Sequence, residues 1–167
     1  MNIIVIGSGK SGVAAAKLAR RKGNNVFLTE SNPKSETDEL KKIFDDHQIN
    51  YEFGQNSTDN LEKYELCITS PGVPPSATII KELERLNIPI ISEIEYAYQN
   101  LSAKVKIIGV TGTNGKTTTV TLITHIIEHS GKSVKLVGNV GKPMADIADN
   151  VSSEDILVVE LSSYQLD

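Results

Sequence analysis

Short apolar runs alternate with amphipathic stretches over the first hundred residues of the chain. Each apolar run is short, about four to seven residues, which is typical of strands buried in a sheet. A weaker strand is expected near Tyr51–Phe53. The other predicted strands are "NIIVIG" (2–7), "NVFLTE" (25–30), "YELCITS" (64–70) and "IPIIS" (88–92).

The stretches between these runs have the period of helices. One of them, "SGVAAAKLARRKG", is closed by Gly23, and another, "SEIEYAYQN", begins with a capping box from Ser92 to Glu95. Two further helices are predicted in "ETDELKKIFDDHQ" (36–48) and "SATIIKELERLN" (76–87). Strands that alternate with helices at this spacing predict an α/β fold, a Rossmann-like parallel sheet with helices on both faces.

A polar stretch, "QNLSAK" (99–104), separates this region from a second strand–turn–helix that begins at Lys104. We place a domain boundary here, with one domain over 1–98 and the first part of a P-loop type α/β domain over 99–167. The second region has two more strand candidates, "SVKLVGN" and "DILVVELSS". Three strands and one long helix make a thin core with an exposed edge strand, so we expect the chain to be a fragment of a longer protein.

Composition narrows the class of protein. The chain has 167 residues, a net charge of −4 and no basic stripe, which disfavours nucleic acid as a partner. Cys67 is the single cysteine, so an internal disulfide is impossible and a reducing compartment is favoured. No apolar run reaches the length needed to span a membrane. We expect a cytoplasmic monomer that acts on small molecules, without nucleic acid or membrane partners.

The first candidate site is the glycine pattern Gly7-Ser8-Gly9-Lys10-Ser11-Gly12, which follows a strand and opens a helix. This G-x-G-x-x-G spacing gives a tight turn, lets a phosphate approach the backbone and presents the positive end of the helix to it. Glu30 ends the next strand, where a ribose-binding carboxylate is expected. NAD and a uridine nucleotide both suit this physics, but no acid–base group for a dehydrogenase follows.

The second candidate site is the turn from Gly109 to Thr118, "GVTGTNGKTT". Val110 stands where the strict Walker pattern has glycine, but the ending Gly115-Lys116-Thr117 is intact between a strand and a helix. Such a loop wraps a β-phosphate, with the lysine on the β/γ oxygens and the hydroxyl on Mg²⁺. Glu160 ends an apolar run and is predicted to face the loop as the acid that holds the metal.

Several stretches together resemble the Mur ligases of peptidoglycan synthesis. They are "GVTGTNGKTTT", "GNVG" (138–141), "ELSSYQLD" (160–167) and "TSPGVPPSATIIKELERLNIPIISEIEYAY" (69–98), so the resemblance runs essentially end to end. The wording of "ELSSYQL" is similar to the branch of that family that adds D-glutamate to UDP-N-acetylmuramoyl-L-alanine.

The resemblance implies three domains: a Rossmann-like domain for the UDP substrate, a central ATPase domain, and a C-terminal domain that lies beyond this chain. A carbamylated lysine and a histidine of the family site would also follow residue 167. The implied ATP-binding residues are Gly112, Thr113, Asn114, Gly115, Lys116, Thr117 and Thr118. The implied catalytic residues are Lys116 and Glu160, with Thr117 and Glu160 on Mg²⁺. The implied UDP-substrate residues are Gly9, Lys10, Ser11, Glu30, Ser31, Ser70, Pro71, Gly72 and Asn139.

The chemistry that the resemblance implies is ATP-dependent ligation in cell-wall synthesis, and hence a role in cell shape and division. The substrate carboxylate would attack the γ-phosphorus of ATP to give an acyl phosphate and ADP, and the amine of D-glutamate would then displace phosphate to form an amide. Three alternatives stay open: a NAD(P)-binding oxidoreductase, a non-catalytic nucleotide-binding module, and another member of the family or folylpolyglutamate synthetase. A GTPase would need a guanine-reading N-K-x-D motif, which these residues lack.

Overall fold

The structure is a computed structural model that describes residues 1–162 and 165. By its internal contacts the chain divides into two units, Met1–Tyr96 and Ala97–Asp167. Part of the "ELSSYQLD" motif therefore lies outside the described residues. None of the helices in the described part of the chain is both long and apolar enough to cross a bilayer.

The first unit contains one parallel sheet with the strand order β3-β2-β1-β4-β5. The chain steps from β1 outward to β2 and β3, then returns to the other side of β1 for β4 and β5. Such a reversal opens a crevice at the carboxyl ends of the strands. The elements are β1 (Asn2–Ile6), α1 (Lys10–Arg21), β2 (Asn25–Glu30), α2 (Asp38–Asp46), β3 (Asn50–Phe53), β4 (Leu66–Thr69), α3 (Thr78–Arg85), β5 (Ile90–Ser92) and the start of α4 (Glu93–Gln99), a helix that continues into the second unit.

The core of the first unit fixes where α1 begins. Small buried side chains, among them Ala15, Ala16 and Ala19, line the side of α1 that packs on the sheet and allow a close approach. At Gly12 the approach is closer still, because a Cβ there would lie 1.9 Å from the carbonyl oxygen of Gly7. The amino end of α1 is therefore held against the end of β1.

The second unit contains a parallel sheet with the order β6-β8-β7 in its described residues. The central strand is the most buried, with Leu157, Val158 and Val159 at most 2% exposed. Elsewhere in the unit two large apolar side chains are exposed to solvent, Leu122 to 57% and Ile126 to 59%. The elements are β6 (Lys106–Val110), α5 (Lys116–His129), β7 (Val134–Gly138), α6 (Met144–Ile147) and β8 (Ile156–Glu160).

The predicted α/β class with parallel strands is confirmed, and each strand and long helix expected from the pattern forms. One hydrogen bond of the predicted capping box is present, because the Glu95 N–H donates to Ser92 Oγ at 3.2 Å. The single turn of α6 was not predicted, because four residues are too few to show a helical period. The domain boundary between residues 98 and 99 stays a prediction.

Candidate functional site

A cavity of about 570 Å³ opens at the carboxyl ends of the strands in the first unit. This is the size of a small-molecule site. The structure brings eight of the residues predicted from sequence together around it: Gly9, Lys10, Ser11, Glu30, Ser31, Ser70, Pro71 and Gly72. The ninth, Asn139, lies in the second unit, directly after β7. The cavity is also lined by Asn56, which belongs to none of the predicted sites.

The glycine loop after β1 presents an open backbone to this cavity. Gly7 has a φ of +100°, which glycine adopts without strain. Gly9 is the N-cap of α1, and a Cβ there would meet nothing within 4 Å. The first-turn amides of a helix have no intrahelical partner, so this end of α1 can hold an anion through its N–H groups.

Glu30 fixes the conformation of the loop rather than standing free at the end of β2. Its Oε2 accepts from the Ser8 N–H at 2.9 Å and from Ser8 Oγ at 3.0 Å, and its Oε1 accepts from the Asn32 N–H at 2.8 Å. Partial burial alone would raise the pKa of Glu30, but the hydrogen bonds from Asn32 and Ser8 outweigh it and lower the pKa below its ordinary value. The carboxylate therefore stays charged at neutral pH.

The segment after β4 closes the opposite side of the cavity. The Ser70 N–H donates to the carbonyl of Ile6 at 3.0 Å, and Ser70 Oγ donates to that of Gly7 at 3.4 Å. A Cβ on Gly7 would lie 2.8 Å from Ser70 Oγ, so the two turns touch. Pro71 and Gly72 continue along this wall.

The second glycine loop, between β6 and α5, has the shape of a phosphate cradle. Gly112 and Gly115 have φ angles of +146° and +77°, and Gly115 is the N-cap of α5. Lys116 Nζ donates to the carbonyl of Gly112 at 2.7 Å, so the ammonium group lies across the loop. Thr113, Asn114 and Thr118 are exposed around it.

Thr117 and Glu160 meet beside this loop, as the sequence predicted. Thr117 Oγ1 donates to Glu160 Oε2 at 2.8 Å, and Glu160 is only 5% exposed at the end of β8. A hydroxyl and a carboxylate oxygen are hard ligands of the kind that Mg²⁺ prefers. The residues present therefore fit a magnesium ion bound beside a phosphate.

Gly138, the first residue of "GNVG", packs against the backbone of Glu160. A Cβ on Gly138 would lie 2.4 Å from the carbonyl oxygen of Glu160, and its φ of +101° also favours glycine. The Asn139 N–H donates to the same carbonyl at 3.1 Å. Gly138, which the sequence marks only as the first residue of "GNVG", thus holds the backbone beside Glu160.

Two family models match the chain. One is described as the Mur ligase MurD-like N-terminal domain and covers residues 1–92, more than half of the chain. The chain belongs to the Mur ligase family. The second model, the Mur ligase middle domain, covers residues 110–167. The membership expected from the sequence motifs is therefore confirmed.

Relatives of this Mur ligase chain include two named UDP-N-acetylmuramoylalanine–D-glutamate ligase. The one from Chloroherpeton thalassium is 42% identical over 98% of this chain and 35% of its own length. The one from Lactococcus lactis subsp. lactis is 41% identical over 98% of this chain and 36% of its own. The chain thus spans about a third of the length of the curated relatives it matches.

Solved Mur ligase structures share the fold. The UDP-N-acetylmuramate–alanine ligase of Thermotoga maritima matches with a TM-score of 0.55 and 26% identity, over 97% of this chain and 37% of its own. A murein peptide ligase from Psychrobacter arcticus matches with a TM-score of 0.58 at 17% identity, over 98% of this chain and 39% of its own, which shows the fold alone.

Two residues were missed by sequence reasoning: Asn56, which lines the cavity of the first unit, and Ser8, which bonds to Glu30 beside it. Ser8 occupies a variable position of G-x-G-x-x-G, where the pattern gives no role to the side chain. Asn56 follows β3, a weak strand whose place beside β2 is set only by the sheet order. Its position just after a predicted strand was the one feature that could have pointed to Asn56, and polar residues are too common at such positions to select one asparagine.

Proposed function

We propose that this chain carries the UDP-substrate site and the ATP site of a ligase that joins D-glutamate to UDP-N-acetylmuramoyl-L-alanine. The observation that carries the proposal is that each unit has a glycine loop at the amino end of a helix with a carboxylate beside it, Glu30 in one and Glu160 in the other. The relatives' names supply the substrates.

In the first unit, the diphosphate of the UDP group would lie on the open turn at Gly9, with Lys10 and Ser11 beside it. Lys10 is exposed at the mouth of the cavity and adds a positive charge to the helix end. The nucleoside would extend toward Glu30 and Ser31, and the sugar along the wall from Ser70 to Gly72. Asn139 remains a proposed residue of the same substrate path.

In the second unit, the loop from Gly112 to Thr118 would hold the phosphates of ATP. Lys116 would leave the Gly112 carbonyl for the β/γ oxygens, and Thr117 and Glu160 would hold Mg²⁺. When bound, ATP would supply the phosphoryl group, and Mg²⁺ would neutralise part of its negative charge. The step joins two anions, the substrate carboxylate and the phosphoryl group, so Lys116 and the loop N–H groups have to offset their repulsion. The carboxylate would take the phosphoryl group with ADP as the leaving group, and the amine of D-glutamate would then displace phosphate from the acyl phosphate and lose a proton to form the amide.

Cys67 fits the proposed cytoplasmic location. It is a free thiol in the core, and burial raises its pKa to about 12, so at neutral pH it is neither charged nor reactive.

Calorimetric titration of the chain with UDP, UDP-N-acetylmuramoyl-L-alanine, NAD and ATP tests the proposal. We expect both uridine ligands and ATP to bind and NAD not to bind. Binding of NAD in preference to UDP would favour the oxidoreductase alternative and overturn the proposal. Because the chain covers about a third of its relatives, we expect no D-glutamate-dependent phosphate release from it alone.

Glu160→Gln should weaken the dependence of ATP binding on Mg²⁺. The amide keeps an oxygen that accepts from Thr117 and fills the same volume, so only the negative charge is lost. We expect the tightening of ATP binding by Mg²⁺ to fall about tenfold, measured as the ratio of dissociation constants with and without the ion. Glu154→Gln, an exposed carboxylate of the same unit, is the control and should keep the parent ratio. An unchanged ratio in Glu160→Gln would remove this residue from the metal site.

A further inference from the structure

Asn114 is the only asparagine of the sequence that is followed by glycine. In such a pair the backbone nitrogen of the glycine can attack the side-chain Cγ of the asparagine, which releases ammonia and closes a succinimide ring. The two reacting atoms are already linked through Cβ, Cα and the carbonyl carbon of the asparagine, so no other residue has to bring them together. Glycine hinders this ring closure least, because it has no Cβ beside the attacking nitrogen.

The structure leaves the nitrogen of Gly115 accessible. Among residues 1–162 and 165, neither the Gly115 N–H nor the side-chain amide of Asn114 makes a hydrogen bond. A Cβ placed on Gly115 would meet nothing within 4 Å, and Asn114 is exposed to solvent. Within this part of the chain, the attacking nitrogen is therefore neither held by an acceptor nor covered by a neighbouring side chain.

The surroundings of this N–H favour the loss of its proton, which is the step that makes the nitrogen nucleophilic. Gly115 is the N-cap of α5, and the amino end of a helix carries a positive partial charge. The Lys116 ammonium group lies across the same loop, where Nζ donates to the carbonyl of Gly112 at 2.7 Å. Positive charge in both places stabilises the deprotonated nitrogen and the negative charge that forms on the Asn114 amide oxygen during the attack.

We propose that Asn114 is a site of spontaneous deamidation and that nucleotide bound in this loop suppresses it, the second part resting on the proposed ATP site. After ammonia has left, water opens the succinimide at one of its two carbonyl groups and leaves aspartate or isoaspartate. The sum of the two steps converts one amide and one water into a carboxylate and an ammonium ion. Either product places a negative charge in the loop, and isoaspartate also lengthens the loop backbone by one methylene group.

Bound phosphate and deamidation compete for the same backbone nitrogen. A phosphate in the loop would accept a hydrogen bond from the first free N–H groups of α5. An N–H that donates to a phosphate oxygen is less able to lose its proton, since the phosphate charge opposes a second negative charge beside it. A carboxylate at position 114 would in turn repel the phosphates. The loop therefore keeps its asparagine while ATP is bound and loses its affinity for ATP when no nucleotide occupies it.

Incubation of the chain at mildly alkaline pH without ligand, with ATP and Mg²⁺, or with UDP tests this inference. Trypsin releases Asn114 in the peptide 107–116. The peptide 136–167 of the same digest is the matched control, because it carries Asn139 and Asn150, two exposed asparagines that are each followed by valine. Mass spectrometry detects the replacement of NH₂ by OH, and digestion in heavy-oxygen water marks any conversion that occurs during the digestion itself.

We expect the peptide 107–116 to convert progressively in the chain without ligand and in the chain with UDP, while the peptide 136–167 keeps its asparagines. Saturating ATP and Mg²⁺ should slow the conversion about tenfold or more, because a hydrogen bond to a charged acceptor has to be broken first. Calorimetry of the incubated chain should show that the fraction able to bind ATP falls in step with the conversion, whereas the affinity for UDP keeps its starting value.

Two variants separate the modification from other effects of the incubation. Asn114→Asp carries the carboxylate from the start and should bind ATP on the order of a hundredfold more weakly than the parent chain. Asn114→Ser cannot form a succinimide, so whatever its initial affinity for ATP, it should keep that affinity through the same incubation. Circular dichroism and thermal unfolding establish that both variants and the incubated parent chain are folded.

The possible failures are distinguishable. If the peptide 107–116 converts no faster than the peptide 136–167 in the chain without ligand, the assignment of Asn114 is wrong while the proposed ATP site stands on its own titration. If Asn114 converts but ATP neither slows the conversion nor loses affinity with it, the proposed link between nucleotide and modification is wrong. If the chain does not bind ATP at all, the proposed ATP site is wrong, and the rate at Asn114 against that at Asn139 and Asn150 still decides whether the deamidation occurs.

Discussion

Gly9→Val should fold like the parent chain and lose its binding of uridine nucleotides. A Cβ at Gly9 meets nothing within 4 Å, so the protein itself has room for the new side chain. The space it fills is the approach of a phosphate to the first amides of α1. Each charge-assisted hydrogen bond lost is worth about 1.5–3 kcal/mol, so the loss of two weakens UDP on the order of a hundredfold or more. Calorimetry with UDP measures the affinity, and thermal unfolding measures the stability.

The third glycine of the same motif provides the contrast. In Gly12→Ala the added Cβ would lie 1.9 Å from the carbonyl oxygen of Gly7 and 2.7 Å from Ser70 Oγ. We expect this variant to be destabilised by about 1–3 kcal/mol, whereas Gly9→Val keeps the unfolding midpoint of the parent. Uridine nucleotide affinity in Gly9→Val within threefold of the parent would show that the phosphate does not lie on this turn.

These two glycines show which features of the site can be predicted from sequence and which cannot. The motif and its place between a strand and a helix were enough to predict the turn, because the periods of β1 and α1 are local. They do not reveal that Ser8 bonds to Glu30 or that Gly7 touches Ser70. Those contacts join positions 22 and 63 residues apart, and they depend on the order in which the strands pair.

The second unit likewise has one contact that the sequence predicts and one that depends on strand pairing. The pairing of Thr117 with Glu160 was predictable, because a glycine loop and an acid at the end of a neighbouring parallel strand meet at one edge of the sheet. The fit of Gly138 against the carbonyl of Glu160 was not, since it arises from the adjacency of β7 and β8. Asn56 was missed for a similar reason, because its place at the cavity and its hydrogen bond with the buried Thr29 hydroxyl depend on the pairing of β2 with β3.

Lys116→Ala should weaken ATP binding on the order of a hundredfold and leave UDP binding unchanged. The Lys116 ammonium group donates to the Gly112 carbonyl at 2.7 Å across the loop, so it already lies beside the place that the phosphates would occupy. It would exchange this neutral acceptor for charged phosphate oxygens, and charge-assisted hydrogen bonds are about twice as strong as neutral ones. Alanine removes both the charge and the donors, and no other residue of the loop from Gly112 to Thr118 is a cation.

Lys132→Ala is the matched control for this variant, because it removes an exposed lysine of the same unit from the turn that follows α5. Calorimetric titration with ATP and Mg²⁺ should separate the two, with Lys132→Ala at the parent affinity. Lys116→Arg keeps the charge but replaces a compact ammonium group with a planar guanidinium, so it should recover only part of the affinity. If Lys116→Ala and Lys132→Ala bind ATP equally well, the loop after β6 does not hold the triphosphate. If Lys116→Ala loses UDP affinity together with ATP affinity, the substitution disturbs the fold rather than one site.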